Sequence, residues 1–194
     1  MCEQSQLSQI VEWCISNAPT TKLFSDIRYL YYKNKLKYIG GKFWSASGFK
    51  IRNPENVSIG KNCSFEENVY IIGAAGVTIG SNCKFSTNVF VGSAGDGGNG
   101  KEDSYITIGN DCSFNANVRI MAGVHDWSKK IVGGLLKADV NIGNNVQILA
   151  NSTILPKVNI GNNVFIGAGS IVTRDVPDNK VAFGVPCKIR GERI

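Results

Sequence analysis

The sequence is poor in histidine, with one in 194 residues, and in proline, with five. A single histidine leaves one side chain whose unperturbed pKa lies near neutrality. No run of about 18 apolar residues occurs, so no membrane-crossing helix is expected. The start lacks a signal-peptide pattern, which makes a soluble, cytoplasmic protein the expectation. The six cysteines show no CxxC spacing, which argues against a zinc site and against a secreted disulfide scaffold. The length suits one domain with a real core. A net charge of +6 suits an acidic ligand, a phosphate-bearing cofactor, a membrane surface or simply a solvated face. No nucleic-acid partner is expected.

What is present is a repeat. From Ile142 an aliphatic residue returns every sixth position: Ile142, Ile148, Ile154, Ile160, Ile166, Val172. Four places after each stands a small or β-branched residue: Val146, Ser152, Val158, Val164, Ser170, Val176. Neither a helix nor a lone strand has period six, and a hexapeptide repeat points to a parallel β-helix. The phase extends backwards through Ile59, Phe65, Ile71, then Ile79, Phe85, Val91, then Ile108, Phe114, Ile120. Units come in threes, each round opening on Ile-Gly. Three units make one triangular coil, with the aliphatic residue inward. The expected fold is an all-β solenoid of about five coils. Cys63, Cys83 and Cys112 share one repeat position, where Val146 and Val164 stand later, so they read as stacked core residues.

Residues 1–50 lack the repeat and form an N-terminal helical region. Leu7, Ile10, Val11, Cys14 and Ile15 recur at helical spacing up to Pro19. A second helix is expected from Lys22 to Lys37, with Leu23, Phe24, Ile27, Leu30 and Tyr31 as its apolar stripe. Its basic end, Lys33, Lys35 and Lys37, admits two readings: a cap over the first coil's edge, or a surface that touches membrane. The solenoid proper is assigned to 51–180, with a C-terminal tail over 181–194.

Two insertions interrupt the repeat, at 92–105 and 125–140. The first is glycine-rich and carries Asp96, Glu102 and Asp103, either as plain solvated residues or as sugar-binding carboxylates. The second opens on His125-Asp126-Trp127. His125 stands where the chain leaves the coil, which makes it the candidate general base.

The repeat, the second insertion and the run Ala182-Phe-Gly-Val-Pro-Cys-Lys together resemble the hexapeptide-repeat acyltransferases, nearest the galactoside and maltose O-acetyltransferases and their polysaccharide-cluster relatives. The resemblance implies a left-handed coil, a homotrimer with sites between prisms, and acetyl-CoA as acyl donor without a metal. It implies direct transfer to a carbohydrate hydroxyl, with His125 taking the proton. Carried over by position, Ala150 and Ala168 would face the pantetheine arm, and Thr173, Arg174 and Lys188 the adenine and phosphates. Ser86, Asp103 and Trp127 would meet the acceptor. Surface polysaccharide synthesis, at the inner face of the membrane, is the implied setting. N-acylation of a nucleotide-linked amino sugar and a non-catalytic scaffold are the alternatives. Zinc-binding β-helices need several histidines, which this chain lacks.

Overall fold

A computed structural model describes residues 6–95, 103–125 and 135–194. Helices α1 (Gln6–Asn17) and α2 (Lys22–Lys33) precede a left-handed parallel β-helix of six complete coils. The coils comprise β1–β3 (Tyr38–Ile39, Trp44–Ser45, Lys50–Arg52), β4–β6 (Val57–Ile59, Ser64–Phe65, Tyr70–Gly73) and β7–β9 (Val77–Ile79, Lys84–Phe85, Phe90–Ser93). They continue with β10–β12 (Ile106–Ile108, Ser113–Phe114, Arg119–Met121), then a two-stranded ribbon, β13 (Gly123–His125) and β14 (Leu135–Lys137). The last two are β15–β17 (Val140–Ile142, Gln147–Ile148, Thr153–Ile154) and β18–β20 (Asn159–Ile160, Phe165–Ile166, Ile171–Val172).

First strands stack only on first strands, second on second and third on third, which gives the prism three parallel faces. The solenoid therefore begins at Tyr38, earlier than the expected residue 51, and has one coil more than the expected five. The repeat in that first coil is hidden because Ser45 takes the place that Phe65 holds in the next. The expected tail is not a tail either. Lys180–Phe183 (β21) extends the second face, and Lys188–Glu192 (β22) folds back antiparallel on it.

Register follows the repeat. Ile59, Ile79, Ile108, Ile142 and Ile160 stack in one column. Phe65, Phe85, Phe114, Ile148 and Ile166 form the next. All ten are buried. Phe49, Phe65, Phe85 and Phe114 stack ring on ring, with centroids 4.7, 5.0 and 4.8 Å apart. Cys63, Cys83 and Cys112 are buried, as their repeat position implies, and their thiols donate to the carbonyls of Gly80, Gly109 and Gly143, each at 3.2 Å. Hydrogen bonding to the neighbouring thiol holds Cys83 up to about 12, well above a free cysteine. All three are shielded by the core, so an alkylating reagent applied to the native protein should label exposed Cys14 and leave these three intact, as read by peptide mapping.

The turns explain two further regularities. The fourth residue of nearly every first and second unit has positive φ. Asn62, Asn68, Asn82, Asn88, Asp111, Asn117, Asn145, Asn151, Asn163 and Asn179 lie between 54 and 61°. Asparagine and aspartate tolerate this left-handed conformation better than other non-glycine residues. Their side chains also stack: Asn145 donates to Asn163 at 2.9 Å, and Asn163 to Asn179 at 2.8 Å. Lys157, at φ 70°, breaks the pattern on the surface. Lys157→Asn should raise stability by about 1 kcal/mol, which a thermal melt would read as a rise of about 2–4 °C. An unchanged melt would mean that the conformation costs nothing at this site. The glycine of each opening Ile-Gly answers a different need, since a Cβ on Gly80 would sit 2.5 Å from the carbonyl oxygen of Gly109 in the next coil.

The N-terminal helices close the open end of the first coil. An edge strand leaves N–H and C=O groups that need polar partners. Arg28, fully buried, donates to the carbonyls of Ser45 (3.2 Å) and Ile15 (3.0 Å) and also to that of Ala18. Ser25 Oγ accepts from Ser45 N–H at 2.9 Å, and Tyr32 Oη accepts from Ile51 N–H at 3.0 Å. The edge thus draws the polar face of α2 inward. The expected apolar stripe is split: Leu23 is 65% exposed and Leu30 62%, while Phe24, Ile27 and Tyr31 are half-buried. The second helix also ends at Lys33, short of the expected Lys37.

Candidate functional site

The site begins with a counting fact. The first two units of every coil keep their six-residue length, so the length variation between coils falls at the corner joining the third face back to the first. Successive coils are offset there by 20 residues, then by 29 and 34 across the two insertions, and by 18 afterwards. Both insertions therefore leave the prism at one corner, from adjacent coils.

Their necks are stitched together. Ala94 and Ser104 bridge antiparallel across the first. β13 and β14 pair antiparallel across the second, with His125 opposite Leu135. Ser104, fully buried, donates its hydroxyl to Ala122 O at 2.8 Å and reaches Ala94 O at 3.1 Å, so one side chain holds both necks. Tyr105 N–H donates to Asp139 Oδ1 at 2.8 Å. Gly123 lies so close to Ala94 that a Cβ there would fall 2.5 Å from the alanine methyl. His125 is thus carried at the end of a short ribbon rooted in the prism. Asp103 sits at the root of the same corner, with Oδ1 buried and without a hydrogen-bond partner. Trp127, Asp126, Asp96 and Glu102 lie outside the described residues.

The other expected residues lie elsewhere. Ser86, Ala150 and Ala168 line the corner between the second and third faces. Gly169 N–H donates to Ala150 O at 2.9 Å, which puts Ala150 directly over the Ala168–Gly169 turn of the next coil. Ala168 and Gly169 are exposed, and a Cβ on Gly169 would meet nothing within 4 Å, so this part of the corner is bare backbone and methyl groups. Ser86 N–H donates to Phe114 O and Glu66 N–H to Phe85 O, both at 2.8 Å, which stacks Glu66, Ser86 and Asn115 in one column. Burial raises the pKa of the Glu66 carboxyl, helped by repulsion from Glu67. Thr173 and Arg174 follow β20 at the insertion corner, two coils below His125, and both are exposed. Lys188 is exposed on β22, opposite Phe183, whose ring lies 5.4 Å from the Arg190 guanidinium.

Ser86, Ala150 and Ala168 are separated from the corner of His125 and Asp103 by the full width of the third face. One chain does not bring them together. Sequence reading missed Ser104, Asp139, Gly123 and Glu66, because none disturbs the repeat. The one signal available was that both interruptions start in the same phase, after a third unit.

Residues 139–174 match the family described as bacterial transferase hexapeptide (six repeats), and residues 56–93 match the hexapeptide repeat of succinyl-transferase. Curated relatives of this hexapeptide-repeat chain include the galactoside O-acetyltransferases of Escherichia coli K12 and Lactococcus lactis. The first is 40% identical over 57 residues (29% of this chain) and the second 38% over 58 (30%). Each match spans 28% of the relative's own length. A solved galactoside acetyltransferase in complex with coenzyme A is 25% identical, with a TM-score of 0.65, covering 96% of this chain and 78% of that one. The N-acyltransferase AntD from Bacillus cereus, solved with dTDP and coenzyme A, shares the fold at 23% identity and a TM-score of 0.74, over 85% and 89% of the two chains.

Proposed function

We propose that this protein transfers the acetyl group of acetyl-CoA to a sugar hydroxyl. The observation that carries the reading is the placement of the only histidine. His125 stands where the longer of two stitched insertions leaves an otherwise regular wall. The likeness to galactoside O-acetyltransferases supports the acceptor class.

The chemistry is a direct transfer. His125 takes the proton of the acceptor hydroxyl as the oxygen attacks the thioester carbonyl. The tetrahedral oxyanion collapses, the C–S bond breaks, and the thiolate of CoA leaves and takes up the proton. The bare corner of Ala150, Ala168 and Gly169 would let the pantetheine arm lie close along the coils. Thr173, Arg174 and Lys188 would serve the nucleotide end. Because the bare corner and the histidine corner bound opposite edges of one face, the site needs a second copy. A homotrimer supplies it, with the histidine corner of one prism against the bare corner of the next. Glu66, Ser86 and Asn115 would then face the acceptor from the neighbouring chain. The reading places the enzyme in the cytoplasm, in the synthesis of a surface polysaccharide.

The test is release of free CoA thiol from acetyl-CoA, with free sugars and nucleotide-linked amino sugars offered in parallel. Thiol release with free sugars is the expected result. A second reading, N-acylation of a nucleotide-linked amino sugar, is favoured by the AntD fold match, since one AntD structure holds dTDP-4-amino-4,6-dideoxyglucose with coenzyme A. Release with the amino sugar alone would decide for it. No thiol release and no acetyl-CoA binding would leave a scaffold.

A further inference from the structure

The N-terminal helices turn polar side chains inward. Ser25, Arg28 and Tyr32 of α2 are buried against the first coil, for the reason already given: an unpaired strand edge requires hydrogen-bonding partners. Several large apolar residues are left facing outward. Ile10 is 58% exposed, Trp13 67%, Leu23 65% and Leu30 62%, with Val11 beside them. Five of the large exposed hydrophobic side chains among the described residues lie on these two short helices. Large apolar side chains exposed in this number on two touching helices mark a contact.

Charge says with what. Residues 1–50 hold seven of the Lys and Arg against three Asp and Glu, a net +4 of the chain's +6 in about a quarter of its length. Lys22, Lys33, Lys35 and Lys37 are all exposed around the apolar side chains. The one acid on α2, Asp26, is paired with Lys42 at 2.7 Å and so offsets none of these four. Lys35 lies over the Tyr31 ring with Nζ 3.8 Å from its centroid, so its charge rests beside an aromatic surface. Apolar anchors among unbalanced lysines match an anionic lipid surface, where headgroups attract the ammonium groups and side chains such as tryptophan and leucine enter the interface. A second copy of this chain fits less well. Side-by-side packing of prisms uses their flat faces and corners, whereas these helices sit over the prism's end.

We propose that the outward faces of α1 and α2 dock the protein on an anionic bilayer surface, with Trp13, Leu23 and Leu30 as anchors and Lys22, Lys33, Lys35 and Lys37 as the electrostatic contacts. The association is peripheral, since no described helix is long and apolar enough to cross a membrane. It brings the prism end-on to the lipid and leaves the insertion corner along the side free for substrate.

The experiment is flotation of the full chain with vesicles of phosphatidylcholine alone and of phosphatidylcholine with phosphatidylglycerol, at low salt and at half-molar salt. The expected result is binding to the anionic vesicles only, lost at high salt. Lys33→Glu with Lys35→Glu and Lys37→Glu should lower partitioning about a hundred-fold. Trp13→Ser with Leu30→Ser should lower it about ten-fold. Circular dichroism melts check that these surface variants remain folded, and acetyl transfer to a soluble acceptor should be unchanged. Equal binding to neutral vesicles, or no binding to either, overturns the proposal. So does a change of oligomeric state in Trp13→Ser/Leu30→Ser without loss of vesicle binding, which would assign the face to another copy of the chain.

Discussion

Replacing His125 by alanine lowers the rate of acetyl transfer by about 10²–10⁴-fold, the range that a positioned general base contributes, while acetyl-CoA still binds. The binding half of that expectation follows from topology, because the cofactor wall proposed at Ala150 and Ala168 lies across a whole face from the ribbon that carries His125. The same separation provides a sharper experiment. Ala168→Trp fills the bare corner and should abolish acetyl-CoA binding without touching the histidine. Each variant alone is inactive. Co-expressed, they regain activity at about a quarter of the sites, because a homotrimer with shared sites pairs an intact histidine corner with an intact cofactor corner in some interfaces. Recovery is read as thiol release from the mixed sample. No recovery, with mixed oligomers demonstrated by differential tagging, would put the whole site within one chain. Full activity in His125→Ala alone would sink the general-base role.

Phe85→Ala lowers the free energy of unfolding by about 3–5 kcal/mol. Phe85 is fully buried and sandwiched, its centroid 5.0 Å from that of Phe65 and 4.8 Å from that of Phe114. Closing the void would require the coils above and below to move together. Their spacing is set by backbone ladders through Ser64, Lys84 and Ser113, so the structure relaxes little. Set beside a total of about 5–15 kcal/mol for ordinary domains, the loss is a large share of the whole. Phe85→Leu, which keeps most of the volume, should cost about 1.5 kcal/mol or less. Urea denaturation followed by circular dichroism measures both. A loss below about 1 kcal/mol for the alanine variant would mean that the stack can slide to refill the gap.

Much of this architecture is legible in the sequence, and the reason is physical. A column such as Ile59, Ile79, Ile108, Ile142 and Ile160 is one structural position written five times, so a periodic signal accumulates over the chain. The first coil escaped because Ser45 occupies the place that Phe65, Phe85 and Phe114 hold in later coils. The asparagines at the turns recur in most first and second units, and their meaning lies in a backbone angle rather than in burial. Of the apolar stripe expected on α2, Leu23 and Leu30 face outward. An apolar stripe normally predicts the buried side, and here the hydrogen-bonding demand of a strand edge outweighed it, as the inward Arg28 shows. Of the site, His125 could be singled out because it was alone, and its phase at the end of a third unit was countable. Ser104 could not be found that way. A serine that clamps two necks looks like any other until the necks are seen side by side.

The confinement of length changes to one corner has a bearing on what this scaffold can become. Two corners are held in step from coil to coil by stacked turns and cannot gain or lose a residue without shifting every column below. The remaining corner has already absorbed steps of 20, 29 and 34 residues while the strands on either side stayed paired. It works as a seam along which segments of new length and chemistry can be sewn in while the prism keeps its register. Grafting a foreign loop between Ala94 and Ser104, with both bridge residues retained, therefore offers a way to change what the protein recognises and leave its frame alone.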